Sequence, residues 1–381
     1  MIVKTPPMGW NSWNTFGSRI NEQMIFEMAD AMAAEGLPEL GYTYFVIDDC
    51  WSEPVRDANG RLVASKEKFP HGMKYVADYV HAHGLKFGMY SCAGATTCAG
   101  YPGSYNHEFE DAATFAEWGV DFLKYDYCFR DQNVPGEVLY RRMGLALANC
   151  GRDILFSACN WGADNAQKWI KTTGAHMWRS TGDVFDSFGS ISSLFRRQFP
   201  LQETNGQGCF NDMDMLVVGM SGKGNVARDK APTADEYRLH FSAWAMMGSP
   251  LMIGCDIRNM TEETKAILKN KEIIAIDQDP AYRQVFFSRK SNENQFIACR
   301  FLEGGDVAIG FFNLSDNADN LWDGAWLTMP ELGWTPESGK TVHLKDLWTG
   351  EEFDVRNELF RPQGVPAHSC KMYRASLVDK K

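Results

Sequence analysis

Short apolar segments that end in polar or charged residues recur along the first two thirds of the chain. Each has the length of a strand and is almost continuously hydrophobic, which is expected for strands that are covered on both faces. The candidate strands are 8–13, 42–49, 86–92, 121–126, 154–159, 176–183, 210–216 and 251–256.

Segments with helical spacing lie between these strands. Apolar residues recur along one stripe in residues 22–35 and again in residues 108–118. Thr233 and Glu236 form a capping box ahead of a third helix, 237–247. Helices therefore alternate with strands along this part of the chain.

Eight candidate strands spread over about 250 residues match the size of a single (β/α)8 barrel. A doubly wound sheet would require a glycine-rich phosphate loop after its first strand, and MGWNSWNTFG lacks one. We therefore predict an α/β protein whose catalytic domain is a (β/α)8 TIM barrel over residues 1–284.

The pattern changes after residue 280. Four strand-like segments follow, separated by turns rich in Gly, Asn and Asp, and none of them carries a helical stripe. They read NQFIACRFL, DVAIGFFNL, TVHLKDL and VPAHSCKMYRA. This texture predicts a C-terminal antiparallel β-sandwich domain over residues 285–381.

The composition is that of a folded protein, with 44% hydrophobic residues and a net charge of −11 from 49 acidic and 38 basic side chains. Such a surface repels a phosphate backbone, so nucleic acid is not an expected partner. The uncharged stretch 239–255 contains His240, Gly248 and Pro250. We therefore interpret it as a helix, a turn and a strand rather than a membrane span, and no membrane association is expected.

The first ten residues, MIVKTPPMGW, contain no apolar stretch of signal-peptide length. We therefore expect a cytoplasmic protein, or a secreted one if a leader precedes this chain. None of the ten cysteines pairs as CxxC, and the chain contains no GxGxxG, Walker or HExxH motif. We expect neither a cofactor nor a metal ion.

Aspartates follow most of the apolar segments. In barrel enzymes the reacting groups lie at the C-terminal ends of the strands, and a carboxylate is seldom buried there without a reason. A single aspartate of this kind is most often a structural cap or ion-pair partner, but several on one rim favour a reactive site. They are Asp48, Asp49, Asp126, Asp183, Asp212, Asp214 and Asp256.

Two of these aspartates suit the two roles that cleavage of a glycosidic bond requires, a nucleophile and a general acid. Lys124 and Asp126 share one strand face, and a lysine beside Asp126 favours the ionised carboxylate that a nucleophile requires. Arg179 and Asp183 flank a short turn, where a half-exposed Asp183 is expected to retain its proton and act as a general acid. Glycoside hydrolysis requires at least one ionised and one protonated carboxyl group.

Aromatic residues also lie in or next to the strand ends, where a ring face stacks on the C–H side of a sugar. About half of them are expected to be core packing instead. They are Trp10, Trp13, Trp51, Tyr90, Trp161 and Trp178.

These residues lie in motifs that resemble glycoside hydrolase family 27, which contains α-galactosidases and α-N-acetylgalactosaminidases. The resemblance implies a retaining (β/α)8 barrel with a C-terminal antiparallel β-sandwich. It also implies an exo-acting α-galactosidase, with an α-galactoside as substrate and galactose as product. The matching segments are MGWNSWN, IDDCW, TTCAGYPGS, FAEWGVDFLKYDYC, CNWG, WRSTGD, NDMDML, GSPLMIG and IAIDQDP.

The resemblance implies a role for each motif residue. Asp126 is the implied nucleophile and Asp183 the implied acid/base, with Arg179 alongside it. Asp48 and Asp49 are implied to hold the 4- and 6-hydroxyls of the sugar. The other implied substrate contacts are Trp13, Tyr90, Cys98, Lys124, Asp214 and Met215.

Substrate choice is implied by the CNWG segment. Family members that accept an N-acetyl group at carbon 2 carry small residues there, whereas Cys159 and Trp161 resemble the bulkier version that is restricted to galactose. Asp49 is shorter than the acid associated with β-L-arabinopyranosides, which also favours galactose.

The resemblance also bears on the cysteines. Cys98 and Cys128 match a disulfide beside the active site, so they are expected to be close enough to pair. Cys50 has no partner in the matching segment, and we expect it to be free.

Three alternatives stay open at this point. The same fold acts on α-N-acetylgalactosaminides or β-L-arabinopyranosides in other family members. An aspartate cluster is also compatible with a metal-dependent barrel enzyme. The third alternative is a catalytically silent sugar-binding protein, against which the presence of both Asp126 and Asp183 argues.

Overall fold

The computed structural model describes residues 3–288, 291–317, 327–335, 339–355, 359–360 and 364–380. Eight strands of the described chain run parallel, and each of the second to seventh strands pairs with the strand before it in sequence. These strands are β1 (Met8–Asn11), β2 (Tyr44–Val46), β3 (Lys86–Cys92), β4 (Phe122–Asp126), β5 (Leu155–Cys159), β6 (Met177–Arg179), β7 (Phe210–Asp212) and β8 (Leu251–Ile253).

The eight strands close on themselves. Strand β8 pairs with β1, and a parallel bridge between Leu216 and Ile253 joins the segment after β7 to β8. The closed ring confirms the predicted (β/α)8 barrel. Because all strands are parallel, their C-terminal ends meet at one mouth of the barrel.

Helices connect the strands and cover the outside of the barrel. They are α1 (Trp13–Phe16), α2 (Glu22–Ala34), α3 (Gly72–Ala82), α4 (Glu108–Trp118), α5 (Gly136–Ala148), α6 (Phe188–Gln198), α7 (Ala234–Met247), α8 (Glu262–Leu268) and α9 (Lys271–Asp277). Short 3₁₀ helices cover Pro38–Leu40, Ala163–Lys168, Ile170–Thr173, Phe199–Thr204, Ile257–Asn259, Glu303–Gly305 and Met329–Leu332. The β5–β6 connection thus contains 3₁₀ turns in place of an α-helix.

Helix α7 explains the long uncharged stretch of the sequence. Its capping box forms as predicted, because the Thr233 side chain accepts from the Glu236 N–H while the Glu236 carboxylate accepts from the Thr233 N–H. The helix is buried on nearly all sides and ends at Gly248, so the stretch is a helix, a turn and strand β8. No helix in the described ranges is long and apolar enough to cross a membrane.

The C-terminal part forms an antiparallel sheet of six strands, in the order β14-β13-β16-β11-β10-β9, and a smaller sheet of β12 and β15. Its strands are β9 (Phe286–Phe287), β10 (Gln295–Phe301), β11 (Val307–Asn313), β12 (Leu327–Thr328), β13 (Lys340–Asp346), β14 (Glu352–Asp354), β15 (Leu359–Phe360) and β16 (Ser369–Asp379). This arrangement is consistent with the predicted β-sandwich.

The two faces of the larger sheet have different neighbours, since successive side chains of a strand point in opposite directions. Ile297 and Ile309 face a core that includes Leu327 of the smaller sheet. Ala298 and Phe312 face the opposite side and join the core of the barrel. The sheet therefore packs as a middle layer between its own small domain core and the barrel helices.

The predicted domain boundary lies between residues 284 and 285. The barrel elements end with α9 at Asp277 and the antiparallel sheet begins with β9 at Phe286. The boundary falls within the segment that joins them, and its exact position stays a prediction.

Phenylalanine rings hold the barrel against the larger sheet. The Phe195 ring on α6 lies 5.1 Å from that of Phe312 on β11, and Phe199 lies 4.4 Å from both Phe287 and Phe296. Rings at these distances gain from edge contacts as well as from their burial.

Phe195→Ala is expected to lower the free energy of unfolding by about 3–5 kcal/mol, because Phe195 is fully buried and its removal leaves a cavity between the two domains. Phe109→Ala is the matched control, since this ring is 58% exposed and its loss is expected to change stability by no more than about 0.5 kcal/mol. Urea unfolding followed by circular dichroism measures both. Equal losses in the two variants would contradict the assigned interface.

Candidate active site

A cavity opens among the C-terminal ends of the barrel strands. Its volume is about 190 Å³, below the range of about 300–1,000 Å³ for drug-sized ligand pockets. A cavity of this size suits one small ligand. Its lining residues are Trp13, Asn14, Asp48, Asp49, Tyr90, Cys98, Lys124, Asp126, Trp161, Arg179, Asp183, Val184, Phe185, Asp214, Met215, Asn225 and Val226.

All the residues to which the resemblance assigns a role in catalysis or substrate binding line this cavity except Cys159. Cys159 ends β5 and is buried, and its Sγ lies 3.7 Å from Nη1 of Arg179. It therefore touches the cavity wall through Arg179 and is a neighbour of the site rather than a lining residue.

Asp126 lies at the end of β4, where its residue surface is 6% exposed. Its Oδ1 accepts from the N–H of Tyr127 at 2.8 Å, and its Oδ2 accepts from the hydroxyl of Tyr90 at 3.0 Å. Both oxygens are thus oriented by the strand ends of β3 and β4, and the carboxylate is fixed in direction.

A disulfide between Cys98 and Cys128 stands beside this carboxylate, as the resemblance implies, with its Cα atoms 5.2 Å apart. Cys50 is free, which confirms the expectation for it. Sulfur atoms of the disulfide and a carboxylate oxygen of Asp126 lie within 4.8 Å of one another. Because the sulfurs bond each other, they are not available as thiolate ligands, and this group does not fit a metal ion.

Lys124 and Asp48 form a buried ion pair on the adjacent wall. Lys124 Nζ donates to Asp48 Oδ2 at 2.8 Å, and the side-chain amide of Asn11 donates to the same oxygen at 2.7 Å. Burial by itself would lower the pKa of Lys124, but nearby negative groups, Asp48 above all, outweigh burial and raise it. Asp49 accepts from the N–H of Ala99 at 3.0 Å, which ties the loop of Cys98 to the strand end of β2.

Arg179 connects the opposite wall. Its Nη2 donates to Asp183 Oδ1 at 2.9 Å and to the Gly182 carbonyl at 2.8 Å, while its Nη1 lies 2.9 Å from Asp214 Oδ1. Asp214 Oδ2 accepts in turn from the N–H of Val184 at 2.7 Å. One buried guanidinium therefore orders the turn that carries Asp183.

The pKa values of the two central carboxyls are shifted in opposite directions. Burial raises the pKa of Asp126 to about 6, although Lys124 opposes the shift. Burial also acts on Asp183, but Arg179 outweighs it and holds the pKa of Asp183 below its usual value. At neutral pH Asp126 is therefore still mostly ionised, as expected, whereas the expectation that Asp183 retains its proton is wrong for the side chain that pairs with Arg179.

The carboxylates with which Lys124 and Arg179 pair explain these pKa shifts. The ammonium of Lys124 bonds Asp48 rather than Asp126, so Asp126 gains less from it than their spacing on one strand indicates. Arg179 instead bonds Asp183 directly. The side chain of Asp183 is 62% exposed, so solvent screens this pairing and leaves it open to change when a ligand covers it.

Burial also raises the pKa values of other carboxyl groups nearby. Burial raises the pKa of Asp212 to about 6 and also raises the pKa values of Asp49 and Asp214. Asp212 does not line the cavity, but its Oδ1 accepts from the N–H of Asp214 at 2.8 Å. Asp256, the remaining strand-end candidate, pairs with Arg258 away from the cavity.

The aromatic candidates divide as expected into lining and packing residues. Trp13, Tyr90 and Trp161 line the cavity. The other three are buried in the core of the barrel, where they hold the strand ends in place. They are Trp10, Trp51 and Trp178.

The loop that carries Trp161 has an unusual backbone. Trp161 and Asp164 have positive φ values of 57°, a conformation that costs a non-glycine residue about 1–3 kcal/mol. The hydroxyl of Tyr127 donates to Asp164, and Arg130 lies 3.3 Å from the same carboxylate oxygen. Tyr127 also meets the Trp161 ring edge-on at 6.4 Å. These contacts stabilise the loop in its strained backbone conformation.

Part of the cavity wall comes from residues that no motif in the sequence indicated. Val184 and Phe185 follow Asp183, and only their proximity to it could have indicated them. Asn225 and Val226 come from a polar loop without any motif, and both of their N–H groups donate to the carbonyl of Asn14. No local pattern in the sequence predicts that contact.

Asp212→Asn is expected to become progressively more stable than the wild type as the pH rises from about 4 to about 7. The folded-state pKa of Asp212 is raised to about 6 from an unfolded value of about 3.9, so its ionisation destabilises the folded state. The difference is on the order of 2–3 kcal/mol once the pH exceeds 6. Asparagine retains the acceptor for the Asp214 N–H.

Urea unfolding at several pH values measures this difference. Asp78→Asn serves as the control, because Asp78 lies on the exposed face of α3 and pairs only with Lys74 there. A constant gap between Asp212→Asn and the wild type across this pH range would contradict the raised pKa.

Comparison with known proteins gives two matching family models. The model described as Alpha galactosidase A matches residues 5–279. The model described as Alpha galactosidase C-terminal beta sandwich domain matches residues 297–375.

Individual relatives match over nearly the whole chain. The chain is 42% identical to Alpha-galactosidase 3 of Arabidopsis thaliana over 377 residues, which covers 98% of this chain and 82% of that protein. The crystal structure of alpha-galactosidase I from Mortierella vinacea superposes with a TM-score of 0.89 at 33% identity, covering 98% of this chain and 97% of the other. An alpha-galactosidase from Saccharomyces cerevisiae with raffinose superposes with a TM-score of 0.84 at 30% identity, covering 98% of both chains.

Proposed function

This chain belongs to the alpha galactosidase A family, and on that premise we propose that it hydrolyses terminal α-linked D-galactose from oligosaccharides or glycoconjugates with retention of configuration. The observation that carries the proposal is the placement of Asp126 and Asp183 on the wall of one cavity with the volume of a small ligand. The same wall carries hydroxyl-binding groups, two cations and four aromatic side chains, as recognition of a single sugar requires.

Asp126 acts as the nucleophile. Its carboxylate attacks the anomeric carbon of the bound sugar while the bond to the leaving oxygen breaks, which forms a galactosyl ester. The Tyr127 N–H and the Tyr90 hydroxyl hold the two oxygens, so attack needs little reorientation. At neutral pH a carboxyl with a pKa of about 6 is mostly ionised and thus competent.

Asp183 acts as the acid and then as the base. It donates a proton to the departing oxygen, and it later removes a proton from the water that attacks the ester and frees Asp126. Two displacements at one carbon give net retention. A bound substrate covers the exposed Asp183 carboxyl and removes it from water, which favours the protonated form over the ionised form that Arg179 stabilises.

The remaining wall positions the sugar. Asp48 and Asp49 offer carboxylate acceptors for its hydroxyls, and Lys124, which donates to Asp48, offers a charged donor. Trp161 lines the cavity, and the N–H of the next residue, Gly162, donates to the Arg179 carbonyl at 3.0 Å. We assign the exclusion of an acetamide group to this ring, which favours a galactoside over an N-acetylgalactosaminide.

Azide separates the roles of the two carboxyls. Asp183→Ala is expected to lose about 10²–10⁴-fold in kcat, and azide restores turnover by attacking the galactosyl ester, giving α-galactosyl azide. Asp126→Gly is expected to be nearly inactive, and azide attacks the substrate directly, giving β-galactosyl azide. NMR of the products measures the anomer. The opposite anomers would reverse the two assignments.

Asp256→Ala is the matched control for both variants. It removes another aspartate at a strand end, but one that pairs with Arg258 outside the cavity. Turnover close to wild type, without any azide product, is the expected result.

A substrate panel tests the sugar specificity. The 4-nitrophenyl α-D-galactoside is expected to give the highest kcat/KM, ahead of the α-N-acetylgalactosaminide and the β-L-arabinopyranoside. Proton NMR during the first turnovers is expected to show α-galactose before mutarotation. A faster arabinopyranoside or acetamido substrate would move the assignment to that sugar, and initial β-galactose would rule out retention.

A further inference from the structure

Two buried side chains of helix α7 hold the segment that follows strand β7. The indole N–H of Trp244 donates to the Asp214 carbonyl at 2.7 Å, and Nε2 of His240 accepts from the Val217 N–H at 3.1 Å. Burial lowers the pKa of His240 to about 3, so its ring is neutral and able to accept there. The His240 and Trp244 rings meet edge-on with their centroids 4.0 Å apart. The helix therefore presents a fixed pair of side chains to this segment.

Asp214 has an unusual backbone conformation at this point. Its φ is 81°, in the left-handed region that disfavours a residue with a side chain. Its N–H donates to Asp212 Oδ1 at 2.8 Å, and its carbonyl accepts from Trp244. Both peptide groups beside the Asp214 Cα are thus bonded to side chains, which keeps the chain in this conformation.

The direction of the Asp214 side chain depends on that conformation. Residues two apart on an extended strand point to one side, yet Asp214 lines the cavity and Asp212 does not. From this position the Asp214 carboxylate bonds Nη1 of Arg179 at 2.9 Å and the Val184 N–H at 2.7 Å. Nη2 of the same guanidinium bonds Asp183. The carbonyl that the indole holds is therefore linked, through one guanidinium, to the acid of the reaction.

We propose that Trp244 is a positioning residue for the general acid, and the inference rests on the proposed function. Its indole N–H holds Asp214 in the conformation that shares the Arg179 guanidinium with Asp183. Without this N–H the Asp214 peptide is free to turn, and Arg179 is left to pair with Asp183 alone. An undivided pairing stabilises the ionised carboxylate and makes it a poorer proton donor.

Substrates that differ in their need for a proton test this role. Phenyl α-galactoside releases a phenoxide that needs protonation, whereas α-galactosyl fluoride releases fluoride, which leaves with less help. The ratio of kcat/KM for the phenyl substrate to that for the fluoride therefore measures the acid. Trp244→Phe keeps an aromatic ring but removes the donor. The ratio is expected to fall about 10-fold in this variant, short of the about 10²–10⁴-fold that a general acid contributes in full.

Trp10→Phe is the matched control. Trp10 is equally buried, and its indole N–H also donates to a backbone carbonyl, that of Cys255 at 3.0 Å. Cys255 does not line the cavity. The same chemical change at Trp10 is therefore expected to leave the ratio within about twofold of the wild type, even where both values of kcat/KM fall together.

A second substitution at the same position guards against a folding defect. Trp244→benzothienylalanine keeps the shape of the indole but carries sulfur in place of the N–H, so the core stays filled while the donor is lost. The ratio is expected to fall as it does in Trp244→Phe.

A double-mutant cycle tests the link through Asp214. In an Asp214→Asn background, Trp244→Phe is expected to change the ratio by less than about twofold, because the charge through which the indole acts is already gone. A further fall of the same size as in the wild-type background would overturn Asp214 as the link.

The remaining outcomes are distinct. A wild-type ratio in both variants of Trp244 would overturn the role of the indole N–H. An equal fall of the ratio in Trp10→Phe would assign the effect to lost packing and would overturn it too. Failure of the wild type to hydrolyse either substrate would instead reject the proposed function itself.

Discussion

The active site depends on an imbalance of charge, because its acidic side chains outnumber its cationic ones. Of the described residues that line the cavity, five are aspartates and only Lys124 and Arg179 are cations. Two cations cannot neutralise five carboxylates, and water that would otherwise solvate them is largely excluded. Burial therefore raises the pKa values of Asp49, Asp126 and Asp214, that of Asp126 to about 6, whereas Arg179 keeps the pKa of Asp183 low. A site with protons held near pH 6 is equipped to move them during a reaction.

The two cations pair with acids on different walls of the cavity. Lys124 belongs to the wall of Asp48, while Arg179 belongs to the wall of Asp183 and Asp214. Asp126 lies between these walls without a cation of its own, and the Tyr90 hydroxyl bonds it in place of one. A neutral donor orients a nucleophile without lowering its basicity as strongly as a bonded ammonium would. The partner geometry thus preserves the reactivity of Asp126.

The second domain supports the mouth of the cavity from outside. Helix α6 begins shortly after Val184 and Phe185 of the cavity wall, and Phe188 at its start stacks on His368 at 4.0 Å. The same histidine contacts Glu236 at the start of α7, and Trp348 donates to Ser242 further along that helix. The C-terminal domain therefore contacts both helices that follow the wall segments of Phe185 and Val226 in the chain. Such support from a packed neighbour helps to hold a binding site in position.

Much of the fold and most of the candidate site could be predicted from local patterns. The strand that ends in Asp126 is apolar and short, and the capping box of Thr233 and Glu236 marks the start of α7. The motif resemblance then singled out residues that the structure brings to one cavity. Phe185 and Asn225 could not be predicted because distant segments meet at the cavity wall. The N–H of Asp186, next to Phe185, donates to the Val226 carbonyl about 40 residues away, and the N–H of Asn225 donates to the Asn14 carbonyl about 210 residues away. No spacing rule encodes such contacts.

The sequence by itself determined the barrel, the following sheet and the set of acids at the strand ends, because hydrophobic period and strand order are properties of neighbouring residues. Only the tertiary structure decided which acid each cation contacts, and with it the raised pKa of Asp126 and the lowered pKa of Asp183. It also decided that Cys159 lies behind Arg179. Charge and exposure arise from side chains that distant segments bring together and from the water they displace, and neither is a local property of the chain.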